Sequence, residues 1–238
     1  MNLKTVALTL FFYVTAGSAL AGPTGLNNIP TTDIVPLNSW IGSLQNSNTR
    51  LTDNAFYSSP LLLAQTEFAL STKVEAGADQ VFLQARNANE LVFNIKTTLQ
   101  SEDSIRPNVA AGVEGIGNHL IPSAYLTLSK TLNWDQEQRE RYRAHHRRNR
   151  KLLGRRVHAG LIVDTHGTAE PFLGTDLQLS DTAVFQADWI NGAGNAISFG
   201  VANILADQRT VVTPALLFSN TTHRVDGLFI NFSHQFNL

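Results

Sequence analysis

Hydrophobic and polar residues alternate one for one along most of the chain. Leu91, Phe93, Ile95, Thr97 and Leu99 interleave with Val92, Asn94, Lys96 and Thr98, the pattern of a strand whose two faces meet different surroundings. The same rhythm returns in Leu173, Thr175, Leu177 and Leu179 against Gly174, Asp176 and Gln178, and in Ala183, Phe185, Ala187 and Trp189 against Val184, Gln186 and Asp188. Leu179-Ser180-Asp181-Thr182 forms a short turn between them. Segments of this kind predict strands over 35–45, 61–70, 73–82, 90–99, 107–116, 124–132, 156–164, 171–179, 182–190, 196–205, 210–218 and 225–236.

That makes about twelve strands (10–12), each near ten residues and joined by alternating turns and loops, which is the signature of an antiparallel transmembrane β-barrel. The competing all-β reading is a secreted sandwich or jelly roll, whose strands usually run nearer five or six residues. The last segment favours the barrel. Leu228, Ile230, Phe232, Phe236 and Leu238 share one face and Asn231, Ser233, Gln235 and Asn237 the other. A final amphipathic strand of this kind resembles the assembly signal of bacterial outer-membrane barrels, although it ends in Leu238 rather than phenylalanine.

Composition narrows the compartment. The 238 residues are 43% hydrophobic and 16% charged, with no cysteine. Disulfides, thiolate metal sites and cysteine nucleophiles are excluded. Lys4, the apolar run from Val6 to Val14 and Ala19-Leu20-Ala21 read as a signal peptide over 1–21, cleaved near Ala21. The expected organisation is an N-terminal periplasmic segment at 22–34, then a barrel over 35–238 located in the cell outer membrane. Turns at Ser71-Thr72, Ser180-Asp181 and Asp207-Gln208 would be periplasmic. Loops at 46–59, 86–89, 191–195 and 220–224 would be extracellular.

One stretch breaks the rhythm. Arg139, Arg141, Arg143, Arg147, Arg148, Arg150, Lys151, Arg155 and Arg156 stand against Glu140 alone, a net +8, leaving −9 for the rest of a chain whose total is −1. This basic insertion, 133–155, can hold a helix capped by Asn133 and ended by Gly154. It reads as a solvated connection or as an anion contact, for which arginine forks suit lipopolysaccharide phosphates, lipid headgroups, acidic polysaccharide or an acidic periplasmic envelope protein. Nucleic acid is not an expected partner, since only Tyr142 is interleaved and the chain is exported.

The barrel interior is the other place where chemistry can reside. Period two puts Glu67, Glu75, Asp79, Glu114, Asp164, Asp176 and Asp188 on the polar face, against Lys96 and His158. An acidic lumen favours cations if water fills it; a barrel of this size can also be plugged by its own side chains. No cofactor, metal site or catalytic set is expected. Ser233 and His234 are adjacent and so face opposite sides of a strand. His145 and His146 lie among arginines, and the spacing of Asp164, His166 and Glu170 matches no ligand motif.

Gly22-Pro23-Thr24-Gly25-Leu26, followed by Ile29-Pro30-Thr31 and Pro36, resembles the opening of the YjbH-like, exopolysaccharide-associated outer-membrane barrels and related uncharacterised bacterial barrels. The stretch from Glu67 to Asp79 is similar to their first short-turn hairpin, and weaker similarity extends over most of the mature chain, including Ser129-Lys130 and Ser180-Asp181. The resemblance implies an outer-membrane barrel linked to polysaccharide export or envelope maintenance, and the residues themselves offer no catalytic motif, so no enzyme activity is expected. Two roles stay open: a passive channel or accessory in envelope polysaccharide handling, and a sealed, non-conducting barrel that anchors the basic loop.

Overall fold

A computed structural model describes residues 25–27, 29–49, 61–83, 88–117, 122–132, 155–192 and 196–237. The alternating segments become twelve strands: β1 (Ser39–Thr49), β2 (Leu61–Ala69), β3 (Val74–Leu83), β4 (Ala88–Gln100), β5 (Asn108–Ile116), β6 (Ser123–Leu132), β7 (Arg155–Asp164), β8 (Ala169–Ser180), β9 (Ala183–Ile190), β10 (Ala196–Ile204), β11 (Thr210–Ser219) and β12 (Val225–Asn237). Each pairs antiparallel with its chain neighbours. β12 returns to β1, from Ser39 opposite Asn237 to Thr49 opposite Gly227, so the sheet closes and leaves no unpaired edge. No helix occurs among the described residues.

The two faces of the strands decide between barrel and sandwich. Leu91, Phe93, Ile95 and Leu99 on β4, Leu126, Leu128 and Leu132 on β6, and Ile230 and Phe232 on β12 are all exposed. Their neighbours in sequence, among them Val92, Lys96, Thr127 and Ser129, are buried. A sandwich buries its apolar face; here the apolar face points outward around a closed wall, which is stable only against lipid. Trp40 and Phe236 stack at 3.9 Å between centroids on that outer face, near the end of the barrel where β1 begins and β12 ends, a place suited to a membrane-interface aromatic.

Glycines set the thickness of the wall filling. Gly112 lies opposite Tyr125 and Gly160 opposite Phe172. A Cβ on either would collide with the aromatic ring of its partner. Tyr125 and Phe172 therefore lie flat across glycines and fill the interior from the wall.

The largest departure from the sequence reading concerns the residues before the barrel. Residues 22–34 read as a periplasmic segment outside it, with the first strand beginning at 35. The described part, 25–27 and 29–35, instead runs inside the barrel, Leu37 and Asn38 are exposed, and β1 begins at Ser39. The cause is local. Pro36 has no amide hydrogen, Asn38 adopts φ +60°, and the Ser39 amide donates to the Pro36 carbonyl at 3.1 Å, so the chain turns where the alternation suggests a strand. The signal peptide, the greater part of the 46–59 loop and the basic residues from Arg139 to Lys151 lie outside the described residues, as does the helix expected there.

Candidate functional site

The lumen is built by inward positions of every strand and by the N-terminal segment that crosses it. Leu26, Ile29 and Val35 on this strap are buried, and Leu26 and Ile29 join Tyr125, Ile162, Phe172 and Ile190 in one apolar cluster. Gly174 makes the space, because a Cβ there would collide with the tips of Ile29 and Leu26. Polar contacts then fix the strap to five strands. Asn27 Nδ2 donates to Ser198 Oγ at 2.9 Å, and Ser198 Oγ donates to Asp188 Oδ1 at 2.6 Å. Thr127 Oγ1 donates to the Pro30 carbonyl at 3.2 Å, and Asn108 Nδ2 to Thr32 Oγ1 at 2.9 Å. The Val35 amide donates to Glu75 Oε2 at 2.7 Å.

The strongest anchor is charged. Arg156 grips Asp33 through both terminal nitrogens, at 2.7 and 3.1 Å, and stands 3.8 Å from Asp176. Burial alone would push the Asp33 carboxyl up. The adjacent Arg156 guanidinium, by charge and by hydrogen bond, outweighs it and holds Asp33 below the usual carboxylate range. Behind this pair, Asp176 Oδ2 lies 3.2 Å from His158 Nε2, and His158 Nδ1 shares a hydrogen bond of 2.7 Å with Ser129 Oγ. Serine, histidine and aspartate in series resemble a hydrolytic array. Ser129 and His158 are each only 1% exposed, and neither borders the lumen's open space. The series therefore orients Asp176 and, through it, Arg156.

The sequence-derived lumen residues divide as follows. Glu67, Glu75, Asp79, Glu114, Asp176 and Asp188 are buried on the inner face. Glu75 pairs with Lys96 at 3.0 Å. Asp79 Oδ2 accepts from Asn94 Nδ2 at 3.1 Å and Gln65 Nε2 at 3.4 Å, while Ser43 Oγ donates to Gln65 at 3.1 Å, a polar row across four strands. Gly77 leaves room for this row, since a Cβ there would collide with Asn94 and press on Glu67. Asp164 does not join the lumen set. It ends β7, and its Oδ1 accepts from the His166 and Thr168 amides at 2.9 and 2.8 Å, capping the turn around Gly167 at φ +81°.

The basic set divides too. Arg155 is exposed at the start of β7. Arg156, read from sequence as part of an anion contact, points inward and is committed to Asp33, because strand parity turns consecutive residues to opposite faces. Sequence reasoning missed Ser129 and the role of the strap. The first was legible from register, since Ser129 sits directly opposite His158.

At the end of the barrel where β1 begins and β12 ends, a cavity of about 580 Å³ opens between the strap and the wall, bordered by Asp33, Glu102, Asn108, Phe229, Asn231 and Gln235. Chemically, the lumen can hold cations or polar solutes on carboxyl, amide and hydroxyl groups, and it is narrowed by a segment of its own chain.

No protein-family model and no curated protein matches this sequence. Among solved structures, the fold is similar to that of the NanC porin (9% identity, covering 83% of this chain and 100% of that one, TM-score 0.53). It is also similar to the KdgM porin in complex with disordered oligogalacturonate (6% identity, covering 84% of this chain and 99% of that one, TM-score 0.51). At these identities the likeness is one of fold: a closed, twelve-stranded antiparallel barrel of the porin type.

Proposed function

We propose that this protein is an outer-membrane channel that passes cations and small uncharged solutes through an acidic lumen narrowed by its own N-terminal strap. The observation that carries this reading is the sign of the inner face. Glu67, Glu75, Asp79, Glu114, Asp176 and Asp188, with Asp33 on the strap, meet only Lys96 and Arg156 among the described lysines and arginines of the lumen. Those of these carboxyl groups that stay ionised concentrate cations in a low-dielectric tube and repel anions. The porin-like fold supports the channel role and the outer-membrane location. A porin of similar fold is in complex with oligogalacturonate, a chain of carboxylates that the acidic lumen here would repel. A place in envelope or exopolysaccharide handling rests on the sequence resemblance to the YjbH-like barrels.

The end with short turns, such as 181–182, where β1 begins and β12 ends, faces the periplasm in this reading. The basic connection between β6 and β7 then emerges there, within reach of an acidic polymer or envelope protein. A second reading has its own support: a strap held by five strands can seal the barrel, which would then serve to anchor the basic connection. Planar-bilayer recording of the refolded, signal-free protein under a salt gradient separates the two. Cation-selective current supports the channel; silence from protein shown to be inserted and folded supports the anchor.

A further inference from the structure

Resting on the channel reading, we infer that ion passage is controlled by an apolar gate near the end of the lumen opposite the start of β1, latched by Leu26 and Ile29 of the strap. Among the described residues, nine of the twelve strands place a buried apolar side chain on the inner face within four residues of that end. Leu63, Val81 and Val92 form one arc on β2 to β4, with Leu63 directly opposite Val81. Leu217 and Phe229 form a second on β11 and β12, in one cluster with Ala215. Between these arcs Tyr125, Ile162, Phe172 and Ile190, on β6 to β9, cluster with Leu26 and Ile29. Each member of this collar is at most 9% exposed. Strand parity gives the inward direction, since the neighbouring Leu91, Leu161, Leu173, Leu216 and Ile230 are exposed on the outer face.

An apolar collar resists ions because its wall replaces none of the hydration shell and offers water too few hydrogen bonds to hold a column, so a narrow collar empties. The 580 Å³ cavity ends against it: Leu26 and Phe229 border the cavity, and no other member of the collar does. The collar is broken on β1, β5 and β10, where Gln45, Glu114 and Ser198 stand at the same level. Asp79 and Asp188 lie one inward position below Val81 and Ile190. A cation that crosses therefore meets carboxyl groups at and just beneath the collar, whereas Lys96 and Arg156 lie toward the other end. The latch is the strap itself. Gly174 leaves the space that the tips of Ile29 and Leu26 occupy, so withdrawal of the strap takes the centre out of the collar.

Two measurements on the refolded, signal-free protein test the gate. The chain has no cysteine, so a single one can be placed at Ile190 in the collar or at Gln186, four residues earlier on the same inner face of β9 and bordering the cavity. With a small water-soluble methanethiosulfonate in detergent, Gln186→Cys should react about tenfold faster than Ile190→Cys, because reaction needs an accessible thiolate. Deleting residues 25–38 should bring the two rates together. Ile162→Cys serves as a second collar position, and every variant is used only if its electrophoretic band still shifts on heating. In planar bilayers, Val81→Thr with Val92→Thr keeps side-chain volume and adds two hydroxyls. It should raise unit conductance about fivefold, equivalent to about 1 kcal/mol at 1.36 kcal/mol per decade. Val81→Ala with Val92→Ala, wider but still apolar, should raise it less. Equal labelling of cavity and collar cysteines in the intact barrel, a difference that survives the deletion, a threonine pair at parental conductance, or an alanine pair that matches the threonine pair overturns the gate. Labelling needs no conduction. Silent bilayers with strap-dependent labelling remove the channel and keep the gate, and a conducting barrel with equal labelling does the reverse.

Discussion

Replacing Arg156 by alanine should free the strap without opening the barrel. The Arg156 side chain is 6% exposed and makes a forked contact to Asp33, whose own side chain is 42% exposed to the lumen. Removing one partner of a fully buried pair costs about 3–5 kcal/mol because the other charge is stranded. Water around the Asp33 carboxylate screens part of that, which reduces the expected cost to about 2 kcal/mol. At 1.36 kcal/mol per decade this is about a 30-fold larger population of detached strap. The Val35 amide reports it directly, since it is buried and donates to Glu75 in the attached state. Hydrogen exchange at Val35 should accelerate about 30-fold in Arg156→Ala while amides of β7 keep parental protection. Arg156→Lys, which keeps the charge and loses the fork, should fall between. Combining Arg156→Ala with Asp33→Asn should add little beyond either change alone. Unchanged Val35 exchange in a variant whose β7 amides stay protected would refute the idea that this pair holds the strap.

Other outcomes follow from neighbouring parts of the lumen. Ile29→Ala removes a side chain that is 0% exposed and should loosen the strap by about 2–5 kcal/mol, read as accelerated exchange across 29–35. Gly174→Ala should also displace the strap, because the added carbon meets only the flexible tips of Ile29 and Leu26; Gly160→Ala should instead lower the unfolding temperature of the barrel, because it meets the Leu126 backbone. Asp79→Asn with Glu114→Gln keeps size and much of the hydrogen bonding, and should move the reversal potential toward non-selectivity; an unmoved potential would take these groups out of the conduction path. Asp207, in the turn between β10 and β11, is held down to about 2 by its hydrogen bonds from the Thr210 hydroxyl and the Arg209 and Thr210 amides. Its folded value lies below the free value of about 3.9, so the turn's contribution is full above pH 4 and fades as pH falls toward 2, which amide exchange at Arg209 and Thr210 would show.

Strand order and the faces of the strands were legible because both follow from period two, a local property that a closed meander preserves. The predicted and observed boundaries of β5, β6 and β9 differ by one residue at most. The strap was not legible. Its apolar residues Leu26, Ile29 and Val35 are separated by three and six rather than by the strand period of two, its prolines argue against a strand, and its burial depends on Ser198, Thr127 and Arg156, which lie 97 to 171 residues away in sequence for the contacts to Pro30, Asp33 and Asn27. Arg156 shows the same limit from the other side. By composition it belongs to the basic run, and only the register of β7 assigns it to the interior. Asp164 had the correct parity for the lumen, yet a turn with two free amides lay within reach of its carboxylate and took it.

The most direct test of the whole account is a pair of planar-bilayer recordings under a salt gradient, one on the signal-free protein and one on the same protein lacking residues 25–38. An acidic channel narrowed by its strap predicts cation-selective current in both, with a clearly larger unit conductance after the deletion. Equal conductance, or a preference for anions in either recording, would contradict it.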